Sequence, residues 1–164
     1  MHKPMVTSED HFVGILEWIG VREKDKDIKS VDEVIAIENL GLEGDKITLK
    51  KSKKRQVTLM QKEHISVILS LAQEDDQDKI NNIQYYFKRN LLISNYNIHN
   101  LKGKLFTIGE AKFLGTGDCK PCKKIENILG KKMLDAMQGM GGITAAVEQS
   151  GRIKISDKIK LDIS

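Results

Sequence analysis

The sequence predicts a mainly β protein, a β-barrel with a few helices packed outside it. Short apolar segments with alternating or β-branched residues recur along the 164 residues, and turn residues bound most of them. Only two segments show the period of an amphipathic helix. This many short strands in one small chain is typical of a barrel or a sandwich. We expect a single domain over residues 1–164, with a loosely ordered N-terminus at 1–11.

The predicted strands are short, as a small barrel requires. They lie at 12–21, 33–41, 55–61, 90–95, 105–115, 142–149 and 157–164. Two segments predict helices, near 62–73 and 122–138, and Gly130 interrupts the second. The segments 22–30 and 74–82 are expected to be solvated loops. In the first predicted helix the apolar face consists of Ile65, Ile68, Leu69 and Ala72.

Composition and charge exclude several classes of function. The longest apolar stretch, at 12–21, carries a glutamate and is too short to span a bilayer, so we predict no membrane partner. The N-terminus lacks the apolar region of a secretory signal, so we expect a cytoplasmic protein. The net charge is +4, and the segment 49–55 holds five cations. Aromatic residues make up only 5%, which is little for base stacking, so we predict no nucleic-acid partner and favour an anionic small ligand.

Both cysteines of the chain lie in one turn, within the segment GTGDCKPCKKIENILG at 115–130. We predict that Asp118 caps the helix that follows and that Pro121 occupies its first turn. Cys122 then lies near the helix N-terminus, where unpaired N–H groups favour a thiolate. Cys122 is therefore predicted to be the reactive thiol or soft-metal ligand, and Cys119 a resolving thiol that forms a reversible disulfide with it. Nearby cations favour the thiolate in the same way: Lys120, Lys123 and Lys124.

Four interpretations of this C-x-x-C motif are open from the residues alone. A thioredoxin-like dithiol needs a later cis-proline, and Pro121 is the last proline of the chain. A structural zinc site needs four ligands, and no two histidines are spaced as a ligand pair. A single thiolate in a cationic pocket can anchor a soft metal. The fourth interpretation is a pair of buried, inert thiols, against which the flanking lysines argue. The histidines that a zinc site would draw on are His2, His11, His64 and His99.

Several motifs, taken in their order along the chain, resemble the MOSC domain family, which is named for the C-terminal domain of molybdenum-cofactor sulfurases. The resembling segments are RQVTLMQKEHI, KRNLLIS and FTIGEAKFLGTGDCKPCKKIENILG. The segment NLGLEGDK resembles the family's glycine–aspartate turn, and MGGITAAVEQSGRIKISDKI resembles its closing hairpin. The resemblance runs from about residue 12 to the C-terminus, and it is specific as an ordered set.

The resemblance implies a β-barrel similar to the small barrel domain of pyruvate kinase, and a molybdenum cofactor of the molybdopterin type. The motif cysteine, matched by Cys122, would be the thiolate ligand to molybdenum or a sulfur carrier, with Cys119 beside it. Molybdopterin carries a soft metal and a doubly charged phosphate, which suit a thiolate and cationic side chains. The residues expected to bind this anionic pterin cofactor are Arg55, Lys88, Arg89, Asn90, Lys120 and Asp45.

The chain departs from the family pattern at three positions. Ile47 stands where the family has a histidine after its glycine–aspartate turn. Lys88 stands where arginine is common, which removes the bidentate fork for phosphate. Ser156 replaces the glycine expected before Asp157, a change that we expect to be structural.

The resemblance implies two enzymatic roles. The first is the reduction of N-hydroxylated compounds, with the metal as a two-electron centre supplied by a redox partner protein. The second is sulfur transfer, with a persulfide on Cys122 loaded by a sulfur-donor protein. A non-catalytic module that carries or delivers the cofactor is a further alternative. The chain lacks the extra N-terminal barrel domain of the mitochondrial amidoxime-reducing members, so a partner or a homodimer is expected if the pocket needs closing.

Overall fold

The barrel uses seven of the eleven strands in residues 13–163, the part of the chain that our computed structural model describes. In chain order the strands are β1 (Gly14–Arg22), β2 (Ile28–Val31), β3 (Glu33–Ile37), β4 (Gly41–Leu42), β5 (Val57–Gln61), β6 (Leu91–Ser94), β7 (Leu105–Ile108), β8 (Ala111–Asp118), β9 (Ile143–Gln149), β10 (Gly151–Lys154) and β11 (Lys158–Leu161). The order around the barrel is β1-β6-β5-β9-β8-β7-β11, and pairing of β11 with β1 closes it. The predicted β-barrel is confirmed.

Strand β1 has two partners along one edge. Its first half pairs with β11, with Gly14 opposite Ile159, and its second half pairs with β2, with Ile19 opposite Val31. Strands β10, β3 and β4 form a separate antiparallel sheet. Strands β5 and β6 are parallel neighbours, so a crossover must connect them. That crossover runs through three helices, which places helical segments outside the barrel.

The interior of the barrel is an apolar core. Successive strand residues point to opposite faces, so every second side chain is available to fill it. The rings of Phe106 and Phe113 stack at its centre with centroids 5.5 Å apart. Burying each large apolar side chain contributes about 1.5–3 kcal/mol. Other fully buried members of this core are Leu16, Ile19, Leu59, Leu91, Ile93, Ile143 and Ile159.

A second apolar core joins the helices to the outer face of the barrel. The helices are α1 (Lys62–Leu71), α2 (Gln77–Asn81), α3 (Ile83–Phe87), α4 (Lys123–Leu129) and α5 (Lys131–Ala136), and two short 3-10 helices span Lys46–Leu49 and Ile98–Leu101. Met60 of β5 and Leu92 of β6 contribute from the barrel side, and Ile68, Phe87 and Met133 from the helical side. Within residues 13–163, no helix combines the length and the apolarity needed to cross a membrane.

The secondary structure differs from the sequence prediction in several places. The helix predicted at 122–138 is interrupted at Gly130, as predicted, and forms α4 and α5, with φ 92° at the glycine between them. The predicted loop at 74–82 contains α2, whose first turn is capped by the side chain of Asp76. Part of the predicted loop at 22–30 belongs to β2, which gains its hydrogen bonds from β1. The N-terminus at 1–11, predicted to be loosely ordered, lies outside the described residues.

Candidate functional site

The two cysteines lie in the turn between β8 and α4, which we call the thiol turn (residues 119–122). Cys119 is buried, and its backbone N–H donates to the carbonyl of Gly142 at 2.8 Å. Cys122 is exposed and is the N-cap residue of α4, where its carbonyl accepts from the N–H of Ile125 at 2.9 Å. Both thiols are free. The turn therefore presents one thiol to solvent and keeps the other inside.

The predicted helix cap at Asp118 is wrong. Asp118 is the last residue of β8, four residues before the observed N-cap. Its carboxylate pairs instead with the ammonium of Lys102 at 2.9 Å and lies 3.7 Å from Nδ1 of His99. These pairs lower the pKa of Asp118 below its usual range, Lys102 contributing most. Pro121, predicted within the first turn of the helix, directly precedes the cap.

The pKa of the Cys122 thiol is lowered. Burial alone would raise it, but the backbone N–H groups of Lys124 and Ile125 stabilise the thiolate. The positive charges of Arg89 and Lys124 act in the same direction and tip the balance toward the lower pKa. Exposure together with thiolate character is what makes a cysteine reactive or able to bind a soft metal.

Arg89 is the buried cation of the site, with only 6% of its surface exposed. Its Nε donates to the carbonyl of Gly141 at 2.8 Å, Nη1 to that of Phe87 at 3.1 Å, and Nη2 reaches that of Cys119 at 3.5 Å. None of these partners carries a charge. Burial lowers the pKa of Arg89, whereas the two thiols of the turn raise it. An arginine keeps its charge in proteins, so Arg89 is a buried cation without a carboxylate among the described residues.

Gly141 closes the back of the thiol turn and was not identified as a site residue from the sequence. A Cβ atom at this position would overlap the carbonyl oxygen of Cys119, so the two backbones can meet only because the residue is glycine. The same residue accepts the hydrogen bond from Arg89. The Gly141–Gly142 pair is a sequence signal for such a close backbone approach.

The remaining predicted cations are exposed. Arg55 has its Nη2 3.7 Å from Sγ of Cys119, which places it beside the thiol turn. Lys88 follows α3 in the left-handed backbone conformation, with φ 55°. Lys120 lies within the turn itself and acts electrostatically on Asp118. Thus Arg55, Lys120 and the buried Arg89 surround the two thiols.

Asn90 and Asp45 lie behind this surface and are fully buried. Asn90 Nδ2 donates to the carboxylate of Asp45 at 2.8 Å and to the carbonyl of Gly20 at 3.0 Å. Its Oδ1 accepts the N–H of Thr58 at 3.0 Å. Asp45 is further bonded by Arg22, whose Nη2 and Nε lie 3.2 Å from its two oxygens. Their polar atoms are thus used within the protein, and both residues hold neighbouring segments in place.

Arg22 and Lys46 are the cations that the sequence analysis missed. Arg22 ends β1 and pairs with Asp45, with 15% of its side chain exposed. Lys46 begins the 3-10 helix that Asp45 caps. The aspartate of the glycine–aspartate turn is the one signal that could have indicated a buried partner for an arginine.

Two cavities of the described residues lie away from the thiol turn. One of about 630 Å³ is lined by residues that include Gln61, Tyr96 and Lys160. The other, of about 700 Å³, is lined by residues that include Trp18 and Leu69. Neither has a cysteine or an arginine in its lining.

A zinc site at the cysteines finds no support in residues 13–163. Within that range, no three histidine, cysteine, aspartate or glutamate side chains are grouped so that they could hold a metal ion. Two of the histidines that such a site would use, His2 and His11, lie outside the described residues. A cofactor that brings its own sulfur ligands needs only one protein thiolate, which Cys122 can provide.

Comparison with known proteins agrees with the barrel and with the motif order. The fold matches the YuaD protein from Bacillus subtilis, with a TM-score of 0.73 at 17% identity over 90% of this chain and 94% of that one. It matches YiiM from Escherichia coli, with a TM-score of 0.65 at 22% identity over 92% of this chain and 70% of that one. It also matches YiiM from Geobacillus stearothermophilus, with a TM-score of 0.68 at 14% identity over 91% of this chain and 75% of that one. A comparison with curated proteins finds no match. The MOSC domain matches residues 45–160, and this chain belongs to the MOSC domain family.

Proposed function

We propose that this protein binds the molybdenum cofactor and that the Cys122 thiolate is the protein's ligand to molybdenum. The MOSC domain family is known for molybdenum cofactor binding. The observation that carries the proposal for this chain is the buried Arg89, which has no carboxylate partner among the described residues and lies beside an exposed thiol of lowered pKa.

The positive charge of the buried Arg89 is stabilised by a nearby anion. A buried charge is costly unless it is paired, and carbonyl oxygens neutralise only part of a guanidinium charge. The Cys122 thiolate supplies one negative charge nearby, and the interaction is mutual because each group shifts the pKa of the other. An anionic ligand at the thiol turn would complete the compensation. These observations support a ligand that is negatively charged and that carries a metal able to bind a thiolate.

The residues present fit the molybdenum cofactor. A thiolate is a suitable ligand for a soft metal centre, which assigns Cys122 to the metal. Arginine and lysine bind phosphate, which assigns Arg89, Arg55, Lys88 and Lys120 to the anionic pterin. Asn90 and Asp45 hold these segments in position. When bound, the cofactor would supply a two-electron redox centre.

For the activity we propose reduction of N-hydroxylated compounds, with electrons from a separate redox protein. Sulfur transfer is less compatible with the C-x-x-C motif. A persulfide on Cys122 would have the Cys119 thiol three residues away, and attack by that thiol forms the disulfide and releases hydrogen sulfide. The stored sulfur would be lost by this reaction, whereas a metal ligand would not.

The first experiment is expression in a host that makes the cofactor, followed by metal analysis and pterin fluorescence. Wild-type protein should retain molybdenum and pterin. Cys122→Ser should lose both, because a serine hydroxyl stays protonated at neutral pH and is a hard ligand. The matched control is Cys119→Ser, which should retain most of the metal. Full molybdenum in Cys122→Ser would show that the assignment is wrong.

A second experiment tests the activity. Loaded protein is mixed with a chemically reduced viologen and an N-hydroxylated amidine, and amidine formation is followed. Turnover that depends on Cys122 supports the reductase. Retention of cofactor without turnover would contradict the reductase and favour the carrier that only binds and delivers the cofactor.

A further inference from the structure

A β-bulge in β1 turns two consecutive side chains to the outside of the barrel. The register of β1 against β6 shifts between Leu16 and Trp18, with Glu17 as the extra residue. In a regular strand, neighbouring side chains point to opposite faces. Here Leu16 and Ile19 are both buried in the barrel core, whereas Glu17 and Trp18 both line the cavity of about 700 Å³ outside it. Bulges redirect side chains in this way and occur often beside functional sites.

This cavity, which we call the outer cavity, lies between the wall formed by β1 and β6 and the three helices of the crossover. Its volume is in the range of pockets that hold small molecules. The indole of Trp18 packs over Gly20, where a Cβ atom would overlap it, and meets the ring of Tyr85 nearly at a right angle with centroids 5.6 Å apart. The indole is therefore held against the barrel wall, and it suits a flat apolar group. The other apolar lining residues are Ile65, Leu69, Ile80, Ile83 and Leu92.

One end of the outer cavity is polar and carries more negative than positive charge. Glu17 accepts the hydroxyl of Ser94 with Oε1 at 2.7 Å. Its Oε2 lies 3.8 Å from Nζ of Lys62, which is too long for a hydrogen bond, and no described residue donates one to that oxygen. The Lys62 side chain is more than half exposed, so a ligand can replace its ammonium there. The second carboxylate of the lining is Glu63, whose Oε2 accepts the N–H of Asn95 at 2.8 Å.

We propose that the outer cavity binds a small organic cation that carries a flat aromatic ring, such as an aryl amidine. The ring lies against Trp18, and the cationic group binds Glu17. An amidinium presents two N–H groups in one plane, the arrangement that suits a carboxylate, and an indole face attracts a nearby cation. The inference goes beyond the proposed function and does not depend on it, since neither cysteine and no arginine lines this cavity.

The test uses the single tryptophan of the chain, whose indole N–H gives one cross-peak in a proton–nitrogen NMR spectrum. Benzamidine titrated into cofactor-free protein should move this cross-peak until the site is saturated. Benzamide has nearly the same shape and no charge, so it should bind about tenfold more weakly, as expected for the loss of a charge-assisted hydrogen bond. An unmoved cross-peak, or equal affinity for the two compounds, would overturn the proposal.

Two variants of the polar end should change the affinity for benzamidine in opposite directions. Glu17→Gln keeps an acceptor for Ser94 and should fold, but it should bind about tenfold more weakly because the carboxylate is lost. Lys62→Gln removes the competing ammonium and should bind about two- to fivefold more tightly. The matched control is Glu148→Gln, which changes an exposed carboxylate of β9 outside the cavity and should bind as wild type does.

Equal affinity in Glu17→Gln and Glu148→Gln would overturn the assignment of the cation to Glu17. A cross-peak that moves with protein concentration and not with benzamidine would show that a second copy of the chain covers Trp18, and would overturn the small-molecule site. Because the protein is free of cofactor throughout, failure here leaves the proposed function standing. Absence of molybdenum from Cys122 would likewise leave the outer cavity standing.

Discussion

Asn90 donates a 2.8 Å hydrogen bond from its side-chain amide to the carboxylate of Asp45, and both residues are fully buried. This bond joins the start of β6 to the turn before the 3-10 helix, two segments 45 residues apart in the chain. Arg89 and Lys88 precede Asn90, and Lys46 follows Asp45. One buried amide therefore fixes the relative position of the cations near the thiol turn.

Replacement of Asn90 by alanine should destabilise the protein. The substitution leaves the carbonyl of Gly20, the backbone N–H of Thr58 and one lone pair of Asp45 without their buried partner. An unsatisfied buried polar group costs about 1–3 kcal/mol, so we expect a loss of roughly 3 kcal/mol or more. Urea unfolding measures the change. The control is Asn100→Ala, an exposed amide that should change stability by less than about 0.5 kcal/mol. A small effect at Asn90 would contradict the role given to this bond.

The pH dependence of alkylation should differ between the two thiols. The pKa of Cys122 is lowered, so its thiolate fraction, and with it the alkylation rate, should rise at lower pH than for an ordinary cysteine near 8.5. On the proposed function, metal uptake should increase over the same pH range, because the proposed ligand is the thiolate form of Cys122. Alkylation of Cys119→Ser reports on Cys122, and alkylation of Cys122→Ser reports on the buried Cys119. Equal rates in the two variants would show that the thiols are not distinguished.

Removal of the Arg89 charge should move the alkylation curve of Cys122 to higher pH. Arg89 stabilises the thiolate electrostatically, so its loss should raise the pKa of Cys122 and move the midpoint to higher pH. The variant to measure is Arg89→Met in the Cys119→Ser background. The control is Arg152→Met, which removes an exposed arginine of β10. Since Arg89 also bonds three carbonyls, the same curve is measured for Lys124→Gln, whose side chain is exposed. An unchanged midpoint in both variants would contradict the electrostatic explanation.

Peroxide should convert the thiol turn to a disulfide. Hydrogen peroxide oxidises the Cys122 thiolate to a sulfenic acid, and attack by the Cys119 thiol then forms the disulfide and releases water. Intact-protein mass should fall by two hydrogen atoms, and dithiothreitol should restore it. In Cys119→Ser the sulfenic acid has no resolving thiol, so irreversible sulfinic acid should accumulate. Reversible oxidation in Cys119→Ser to the same extent as in wild type would exclude this role for Cys119.

The thiol turn and Arg89 could be identified from the sequence because their motifs are contiguous. The buried network of Arg22, Asp45 and Asn90 could not, since these residues come from three separate segments that only the folded barrel brings together. The periodicity of apolar residues indicates which residues of a strand are buried. It does not indicate at which end of the barrel that strand begins or ends. The roles of Asn90 and Asp45 could not be predicted from the motifs either. A motif does not show whether a polar side chain contacts a ligand or forms hydrogen bonds within the protein.

Short elements were missed for a related reason. Helix α2 has five residues and no buried side chain, so it shows no helical period in the sequence. Strands β2 and β10 have four residues each and are held by their neighbours, and local pattern carries little information at that length. Strands β1, β5, β6, β9 and β11 and helix α1 were predicted close to their observed bounds, whereas the single strand predicted at 105–115 is the hairpin of β7 and β8.

Ser156, where the resemblance leads us to expect a glycine, provides the last prediction. Its backbone has φ 77°, a left-handed conformation that costs a non-glycine residue about 1–3 kcal/mol, and glycine adopts it without that cost. Glycine loses more conformational entropy on folding, about 0.5–1 kcal/mol, so Ser156→Gly should stabilise the protein by roughly 1 kcal/mol. The control is Ser70→Gly in helix α1, where the same substitution should destabilise the protein by about 0.5–1 kcal/mol, because the backbone is helical and the residue is exposed. Urea unfolding of the two variants should therefore give changes of opposite sign. Destabilisation by Ser156→Gly would show that the serine side chain contributes more there than the strain it imposes.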